Sequence, residues 1–331
     1  MRGYFYGLTL LLVLLGAAGG FFLKTYFLPE PPAVLAPDAA TAEAVSFLAV
    51  GRQGYDNPPG RRVAAGMERV AAGRPQHFVV LGGDNFFRNG VASVDDPQWG
   101  VKFETLYGGR HLRGTPFYAT LGNHDHLGNA EAQVRYAQER RGSARWRMNG
   151  RYYRRDFGRA PDGRTLVRVV FLDMIPMLES ADEAEAQTAF LRESFADGPG
   201  ETGGPVWKVL VGHNPLQSLT AQPTALTRVM HDLRPIAVEL GVDLALSSND
   251  WFQQLLDRDG EPIYVSTSGG GRKLEPVETR SGPREFTLAR HGFAGVTAEA
   301  GRLTVTLYDA DGEAGFTATR ERGTVRGSGP Q

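Results

Sequence analysis

The chain contains no cysteine among its 331 residues. Disulfide scaffolds, zinc ribbons, thiol nucleophiles and iron–sulfur centres are therefore excluded together. It also lacks an excess of either charge: 36 Lys and Arg stand against 37 Asp and Glu, a formal net charge of −1. That balance argues against a protein built to coat nucleic acid or an anionic membrane. Internal repeats and low-complexity breaks are missing as well. The hydrophobic share of 41% and aromatic share of 10% belong to a folded chain. With thiolates gone, any metal must be held by nitrogen and oxygen donors. The seven histidines, His77, His111, His124, His126, His213, His231 and His291, therefore need individual accounting.

One long apolar run stands out. Gly3 to Leu23 carries no charge and is bracketed by Arg2 and Lys24. As a helix it would be about 31 Å long, the thickness of a bilayer's hydrocarbon core. Gly16-Ala17-Ala18-Gly19-Gly20 would suit a cleaved signal peptide. Phe21-Phe22-Leu23 and Tyr26-Phe27-Leu28 continue the apolar stretch past that point, which favours an uncleaved anchor. Residues 1–28 are thus read as a signal anchor or transmembrane segment and 29–43 as a Pro/Ala-rich linker. Residues 44–319 form one domain, and 320–331 a polar, flexible tail. The domain is expected on the extracytoplasmic side of a membrane, anchored or exported.

Short β-branched runs recur at Val45–Val50, Phe78–Leu81, Phe117–Leu121, Leu166–Leu172, Val206–Val211, Val242–Leu246 and Ile263–Ser266. Stretches of helical spacing lie between several of them, at Arg62–Ala72, Ala130–Arg140, Glu183–Phe195 and Ala225–Leu240. This alternation predicts an α/β fold. Runs from Phe286 to Thr319 with Gly-containing turns predict an antiparallel meander at the end. Five of the strand runs are followed at once by a polar loop. These are Gly51-Arg52-Gln53-Gly54, Gly82-Gly83-Asp84-Asn85, Gly122-Asn123-His124-Asp125-His126, Gly212-His213-Asn214-Pro215 and Ser247-Ser248-Asn249-Asp250-Trp251. Open α/β sheets bind ligands at the carboxyl ends of their strands, and glycine lets the backbone approach a ligand closely. Five such loops in succession define a site.

Those motifs resemble the blocks of a calcineurin-like metallophosphoesterase on the purple (tartrate-resistant) acid phosphatase branch. The family's blocks are Asp-x-Gly, Gly-Asp-x-x-Tyr, Gly-Asn-His-Asp-His, Gly-His-x-Pro and Gly-His-Asp-His. Their order and spacing are kept from Phe47 to about Thr319, most densely at Gly83-Asp84-Asn85-Phe86, Leu121 to Asn129 and Gly212-His213. The resemblance implies a four-layer αββα sandwich, two mixed β-sheets flanked by helices, with a dinuclear metal site along one edge. It also implies hydrolysis of phosphomonoesters by a metal-bound hydroxide, with two cations held about 3.5 Å apart.

Carried over residue by residue, the resemblance places the bridging carboxylate on Asp84, an amide ligand on Asn123 and an imidazole ligand on His213. His124 takes the place of the His that protonates the leaving group, with Asp125 placed to orient it. His126 follows in the family's own pattern and is open to two readings, contact with the phosphate or substrate and a supporting hydrogen bond behind the site. Four positions depart from the pattern. The expected Asp is Arg52, the expected Tyr is Phe87, and the two histidines of the last block are Asn249 and Trp251. Gln222 stands roughly where this branch often carries another His. An Arg52 guanidinium ~4 Å from a divalent ion would repel it by about 8 kcal/mol at an effective dielectric near 20. A good protein zinc site supplies about 10–16 kcal/mol in all. Asp84, Asn123, His213 and Asn249 would hold at most one divalent ion (Mn, Zn or Fe) weakly, and none at the other limit; a dinuclear centre is not expected.

Arg52 is open to two readings: a cation beside Asp84 able to bind phosphate, or an outward loop residue of no consequence. The first makes the chain a membrane-anchored, phosphate-binding pseudophosphatase or scaffold. The alternative is an active single-metal phosphomonoesterase with His124 as acid and Arg52 as electrophile. Ligands are then phosphate or phosphoesters, with the membrane as a partner through the N-terminal helix. Arg135 to Arg159 interleaves arginines with Tyr136, Trp146, Tyr152 and Tyr153, as a nucleic-acid surface would. The overall charge favours a solvated or lipid-facing basic stretch instead, and no nucleic acid is expected. His77, His111, His231 and His291 lie outside the blocks and are read as surface or capping residues.

Overall fold

A computed structural model describes residues 38–196, 203–219, 224–275, 280–281 and 284–322. The expected anchor, most of the linker, Gln222 and the end of the tail lie outside these residues. Among the described residues, no helix is long and apolar enough to cross a membrane.

Two mixed β-sheets carry the chain, with helices around them. In the first, β1 (Ala44–Val50), β2 (Phe78–Leu81), β3 (Phe117–Ala119) and β4 (Trp146–Arg147) run parallel. β13 (Gly292–Glu299), β14 (Arg302–Asp309) and β15 (Ala314–Glu321) extend it antiparallel from β1, forming the expected meander. In the second, β6 (Thr165–Phe171), β7 (Trp207–Val211), β8 (Leu244–Ser247) and β10 (Ile263–Thr267) run parallel. β5 (Tyr153–Arg159) borders β6 antiparallel, and β9 (Gln253–Asp257), β12 (Glu285–Leu288) and β11 (Arg280–Ser281) extend the sheet beyond β10.

The parallel strands are apolar on both faces because both faces are covered, and the period-two alternation decides which side each residue joins. Val169, Phe171, Val209, Val211 and Leu244 enter the large core shared with the first sheet. Their neighbours Val170, Leu172, Leu210 and Ala245 face a second core. Between the sheets, Phe78 of β2 stacks on Phe157 of β5 with ring centroids 3.9 Å apart, and on Phe47 of β1 at 4.6 Å. α1 (Pro58–Gly73) contributes Val63, Met67 and Ala71 to this core. It starts where its sequence says it should: the Asn57 side chain accepts the Gly60 N–H at 2.9 Å, and Pro58 and Pro59 fill positions that need no donor. α2 (Asn123–His126) is a single turn, and α3 (Ala130–Gln138) buries Ala132 and Val134. The second core is closed by α4 (Met174–Glu179), α5 (Ala181–Phe195) and α6 (Thr224–Glu239), through Met174, Met177, Leu191, Phe195, Leu233 and Ala237.

Three expectations are corrected. The tail begins later than residue 320: β15 runs to Glu321, Arg320 pairs with Asp257 at 2.7 Å, and Arg322 pairs with Asp243 at 2.6 Å. The basic stretch from Arg135 folds as the end of α3, then β4 and β5. Tyr136, Trp146 and Tyr153 are buried, with Tyr136 stacked on Trp99 at 3.6 Å. Those rings hold the core and offer no platform for bases. Arg145 is buried as well, donating to the carbonyls of Tyr107 and Leu112 at 3.0 and 3.1 Å and to Glu104 at 3.2 Å. The solvated reading therefore suits Arg154 and Arg159 and fails at Arg145. Of the two readings of His77, surface or capping, the surface one fails: it is buried, with Nδ1 taking the Ser46 N–H at 3.0 Å.

Candidate functional site

All five polar loops leave the carboxyl ends of parallel strands, and backbone hydrogen bonds sew them together. Arg52 N–H donates to the Gly83 carbonyl at 3.1 Å, Gly54 to Asp84 at 3.1 Å, and Phe87 back to Gly54 at 3.0 Å. Across the sheets, Gly51 donates to Thr267 at 3.0 Å; within the second sheet, Ser248 and Asn249 both donate to the His213 carbonyl, at 3.0 and 2.7 Å. This sewing needs small residues. A Cβ on Gly122 would overlap the backbone of Asp84 and come within 2.8 Å of the His213 ring, and one on Gly51 would overlap the Ser248 side chain. Glycine is used here for close approach.

Arg52 and Asp84 both sit in the left-handed region, at φ 54° and 55°. For residues with a Cβ this costs about 1–3 kcal/mol each, so the surrounding loops must hold them there. Their side chains meet inside the site. Arg52 Nε lies 3.4 Å from Asp84 Oδ2, Nη1 donates to the Asp250 carbonyl at 2.6 Å, and Nη2 donates to Asn249 Oδ1. The Trp251 ring centroid lies 5.7 Å from this guanidinium and 4.1 Å from that of Arg272. Arg52 is therefore the inward cation of the two readings. Burial lowers its pKa while Asp84 opposes the shift, and a guanidinium remains charged throughout.

On the other side of Asp84, His213 Nε2 is 3.4 Å from Asp84 Oδ1 and 3.2 Å from Asn123 Oδ1. Its Nδ1 is 2.9 Å from the Gly82 carbonyl and 3.0 Å from Ser248 Oγ. A carbonyl only accepts, so the proton belongs on Nδ1. Burial lowers the His213 pKa against the pull of Asp84, which keeps the ring neutral. Asn249 does not join this corner: its carbonyl oxygen is taken by Arg52 and its NH2 group donates to Asn214 at 2.8 Å.

The Asn-His-Asp-His turn departs from expectation in its pairings. His124 Nδ1 donates to the Arg88 carbonyl at 2.7 Å, and its backbone N–H donates to Asp84 Oδ1 at 3.1 Å. Asp125, expected to orient His124, instead accepts from the backbone N–H groups of Gly122, Asn85 and Phe86 and from Gln133 Nε2, at 2.9–3.1 Å. It is a buried staple between loops; burial and the charge of Asp84 push its carboxyl up to about 6. His126, open to substrate contact or a supporting hydrogen bond, makes the second: its Nε2 meets Asp173 Oδ1 at 2.7 Å. Four features were missed in the sequence. Tyr55 stacks on Phe87 at 4.0 Å, and Phe87 meets His124 edge-on at 4.4 Å. Arg88 supplies the carbonyl for His124, Asp173 receives His126, and the Gly269-Gly270-Gly271-Arg272 loop follows β10. The strand-then-polar-loop rule that found the other five loops points to that sixth one as well.

Parallel strands ending in these blocks define a metallophosphoesterase fold, and the chain belongs to the calcineurin-like phosphoesterase family, whose model matches residues 61–248. That family comprises metal-dependent phosphoesterases. The tartrate-resistant acid phosphatase type 5 of Homo sapiens is 29% identical over 309 residues, covering 84% of this chain and 91% of that protein. Purple acid phosphatase 4 of Arabidopsis thaliana is 29% identical over 298 residues, covering 81% of each. Among solved structures, GAP50, described as the anchor in the inner membrane complex of Plasmodium, superposes with a TM-score of 0.70 at 19% identity. That likeness covers 84% of this chain and 89% of GAP50, and is one of fold. Among the described residues, no group of three or more His, Asp or Glu side chains is placed to hold a metal ion.

Proposed function

We propose that this chain is a membrane-anchored, non-hydrolysing member of its family that binds phosphate or phosphoester groups where its relatives turn them over. One observation carries the reading: the Arg52 guanidinium is buried against Asp84, Asn249 and Trp251, where the family pattern expects the first metal ion. A dinuclear centre does not fit these residues. Phe87 and Trp251 have no lone pair to give, Asn249 has given its oxygen to Arg52, and the guanidinium already supplies positive charge beside the bridging carboxylate. Two of the five guanidinium N–H groups donate to loop oxygens and Nε–H faces Asp84, which leaves two for an anion. The four-layer sandwich and an anchor over residues 1–28 complete this reading.

The alternative, a single-metal phosphomonoesterase, draws on His124. Its Nδ1 is fixed by the Arg88 carbonyl, so Nε2 remains as the ring nitrogen able to exchange a proton.

The purified full-length chain separates the two. After exposure to manganese, zinc and iron, we expect no stoichiometric metal, no turnover of a chromogenic phosphomonoester, and a melting temperature raised by phosphate or vanadate. Two bound ions with turnover would overturn the proposal. One bound ion with turnover, lost on His124→Ala, would establish the alternative.

A further inference from the structure

Away from the five polar loops, the outer face of the first sheet carries a groove of about 570 Å³ between the C-terminal end of α1 and strands β13 and β14. That volume lies within the ~300–1,000 Å³ usual for ligand sites. The strand registers explain its floor. On β14, Thr304, Thr306 and Tyr308 alternate with buried Leu303, Val305 and Leu307, and so share the outward side. Thr297 stands opposite Thr304, and Gly295 opposite Thr306. Because residue 295 has no side chain, the Tyr308 ring reaches across it; a Cβ there would come within 2.8 Å of Tyr308 Cε2. The polar atoms of this floor are unspent. The hydroxyls of Thr297, Thr304 and Tyr308 make no hydrogen bond among the described residues. Gln76, only 3% exposed, also lines the groove. Its Nε2 donates to the Arg74 carbonyl, and its Oε1 meets no donor among the described residues. A buried amide oxygen left without a donor costs about 1–3 kcal/mol, which a ligand hydroxyl would recover.

We infer that this groove binds an uncharged oligosaccharide, with one sugar ring laid on Tyr308 and hydroxyls meeting Thr297, Thr304 and Gln76. A pyranose presents an apolar C–H face to an aromatic ring and hydroxyls that both donate and accept. The charges of the groove point the same way. Three arginines and three acidic residues line it, so it selects neither sign. Arg69 is tied to the Asp311 carbonyl at 2.9 Å and Arg302 to Glu321 at 2.7 Å. Arg74 and Glu299 make no ion pair among the described residues and supply one further donor and one further acceptor. An anion would call for unmatched arginines. An apolar peptide would leave the threonine hydroxyls and Gln76 Oε1 without water or partner. Thr304 and Tyr308 are four residues apart, about 13 Å along an extended strand, which is longer than one sugar ring and favours a chain.

The test is calorimetric titration of the full-length chain with maltohexaose, cellohexaose and chitohexaose. At least one of them is expected to bind at one site per chain. Tyr308→Ala should weaken that binding by about tenfold or more. Thr304→Val, which keeps the shape and drops the hydroxyl, should weaken it by about threefold. Thr304→Trp, a substitution on a solvent-facing strand position, should abolish it by filling the floor. Melting temperatures without sugar separate loss of the site from loss of the fold. Any shift of melting temperature by phosphate should be the same in all three variants as in wild type, because the groove shares no residue with the loop of Arg52. Failure of all three sugars to bind at about 10 mM would overturn the inference. So would binding that every folded variant leaves intact, which would place the sugar elsewhere. Tighter binding of a heparin hexasaccharide than of any neutral sugar, lost in Arg74→Gln, would make the groove an anion site and overturn it as well.

Discussion

Arg52 Nε lies 3.4 Å from Asp84 Oδ2, with both side chains almost wholly shut from water and both backbones in the left-handed region. An ion pair in such a place is stabilising only relative to the loss of one partner. Replacing both charges can be nearly neutral, whereas removing one leaves the other stranded.

The first prediction follows from that asymmetry. Asp84→Asn should lower unfolding free energy by about 3–5 kcal/mol, since it strands a buried guanidinium. Arg52→Met combined with Asp84→Asn should be distinctly less destabilised than the sum of the two single changes, by about 1–3 kcal/mol. Urea unfolding of the four proteins measures both quantities. Strict additivity would mean that the two side chains do not interact.

A second prediction concerns Gly122. Its φ of −106° is open to any residue, so the demand for glycine here is one of space alone. A methyl group would press into the Asp84 backbone and the His213 ring. Gly122→Ala should therefore cost at least as much as the upper end of the ~1–3 kcal/mol typical of overpacking. It should also abolish any stabilisation by phosphate, because it moves the loops that carry Asp84 and Asn123. Thermal melting with and without phosphate checks both effects. Unchanged melting would show that the loops are looser than their packing implies.

The third prediction is one of pH. Burial disfavours a charged His126, yet the hydrogen bond and charge of Asp173, aided by Asp125, outweigh it and raise the pKa above 6.5. Arg151, 3.7 Å from Asp173, opposes the shift and pairs on its other side with Glu183 at 2.8 Å. A histidine raised in the folded state contributes stability that is complete below about pH 6.5 and fades as pH climbs through the raised value. The stability difference between wild type and His126→Gln should therefore be largest near pH 5.5 and shrink towards about pH 8.5. Urea midpoints across that range provide the measurement; a difference independent of pH would sever the link to Asp173.

Much of this site was legible because the same pattern recurs after one strand after another: an apolar run, then glycine beside Asn, Asp or His. The pairings within it were not. The resemblance assigned Asp125 to His124, but successive residues on a helical turn do not face each other, and the two side chains diverge to Asn85 and Arg88. The same rule sends His126 away from His124 and onto Asp173. Nothing in Gly51-Arg52-Gln53 announces a positive φ at Arg52, which is what turns its side chain inward. The fold itself read well where strands were apolar. β5 was missed because its sequence, Tyr-Arg-Arg-Asp-Phe-Gly-Arg, carries four charges, and the burial of Arg145 depends on carbonyls more than thirty residues away.

The last prediction reverses the four departures together: Arg52→Asp, Phe87→Tyr, Asn249→His and Trp251→His. Arg52→Asp by itself should be damaging, since it sets a second carboxylate beside buried Asp84 and the pair must share a proton or a cation. With the phenol and the two imidazoles added, that excess negative charge becomes a ligand set. The combined variant should therefore melt lower than wild type without metal and above its own metal-free value with iron, zinc or manganese. It should retain two ions per chain after desalting. Loading with iron should give a visible charge-transfer band only when Phe87→Tyr is present, a readout that does not depend on turnover. If the ligands are the whole defect, a chromogenic phosphomonoester is then hydrolysed, and His124→Ala in the same background slows it. Metal uptake and colour without hydrolysis would instead locate the defect in how the loops present the ester, with the Tyr55–Phe87–His124 stack as the first place to look. Failure to take up metal would show that the left-handed turns at residues 52 and 84 fit a guanidinium and no longer fit an ion.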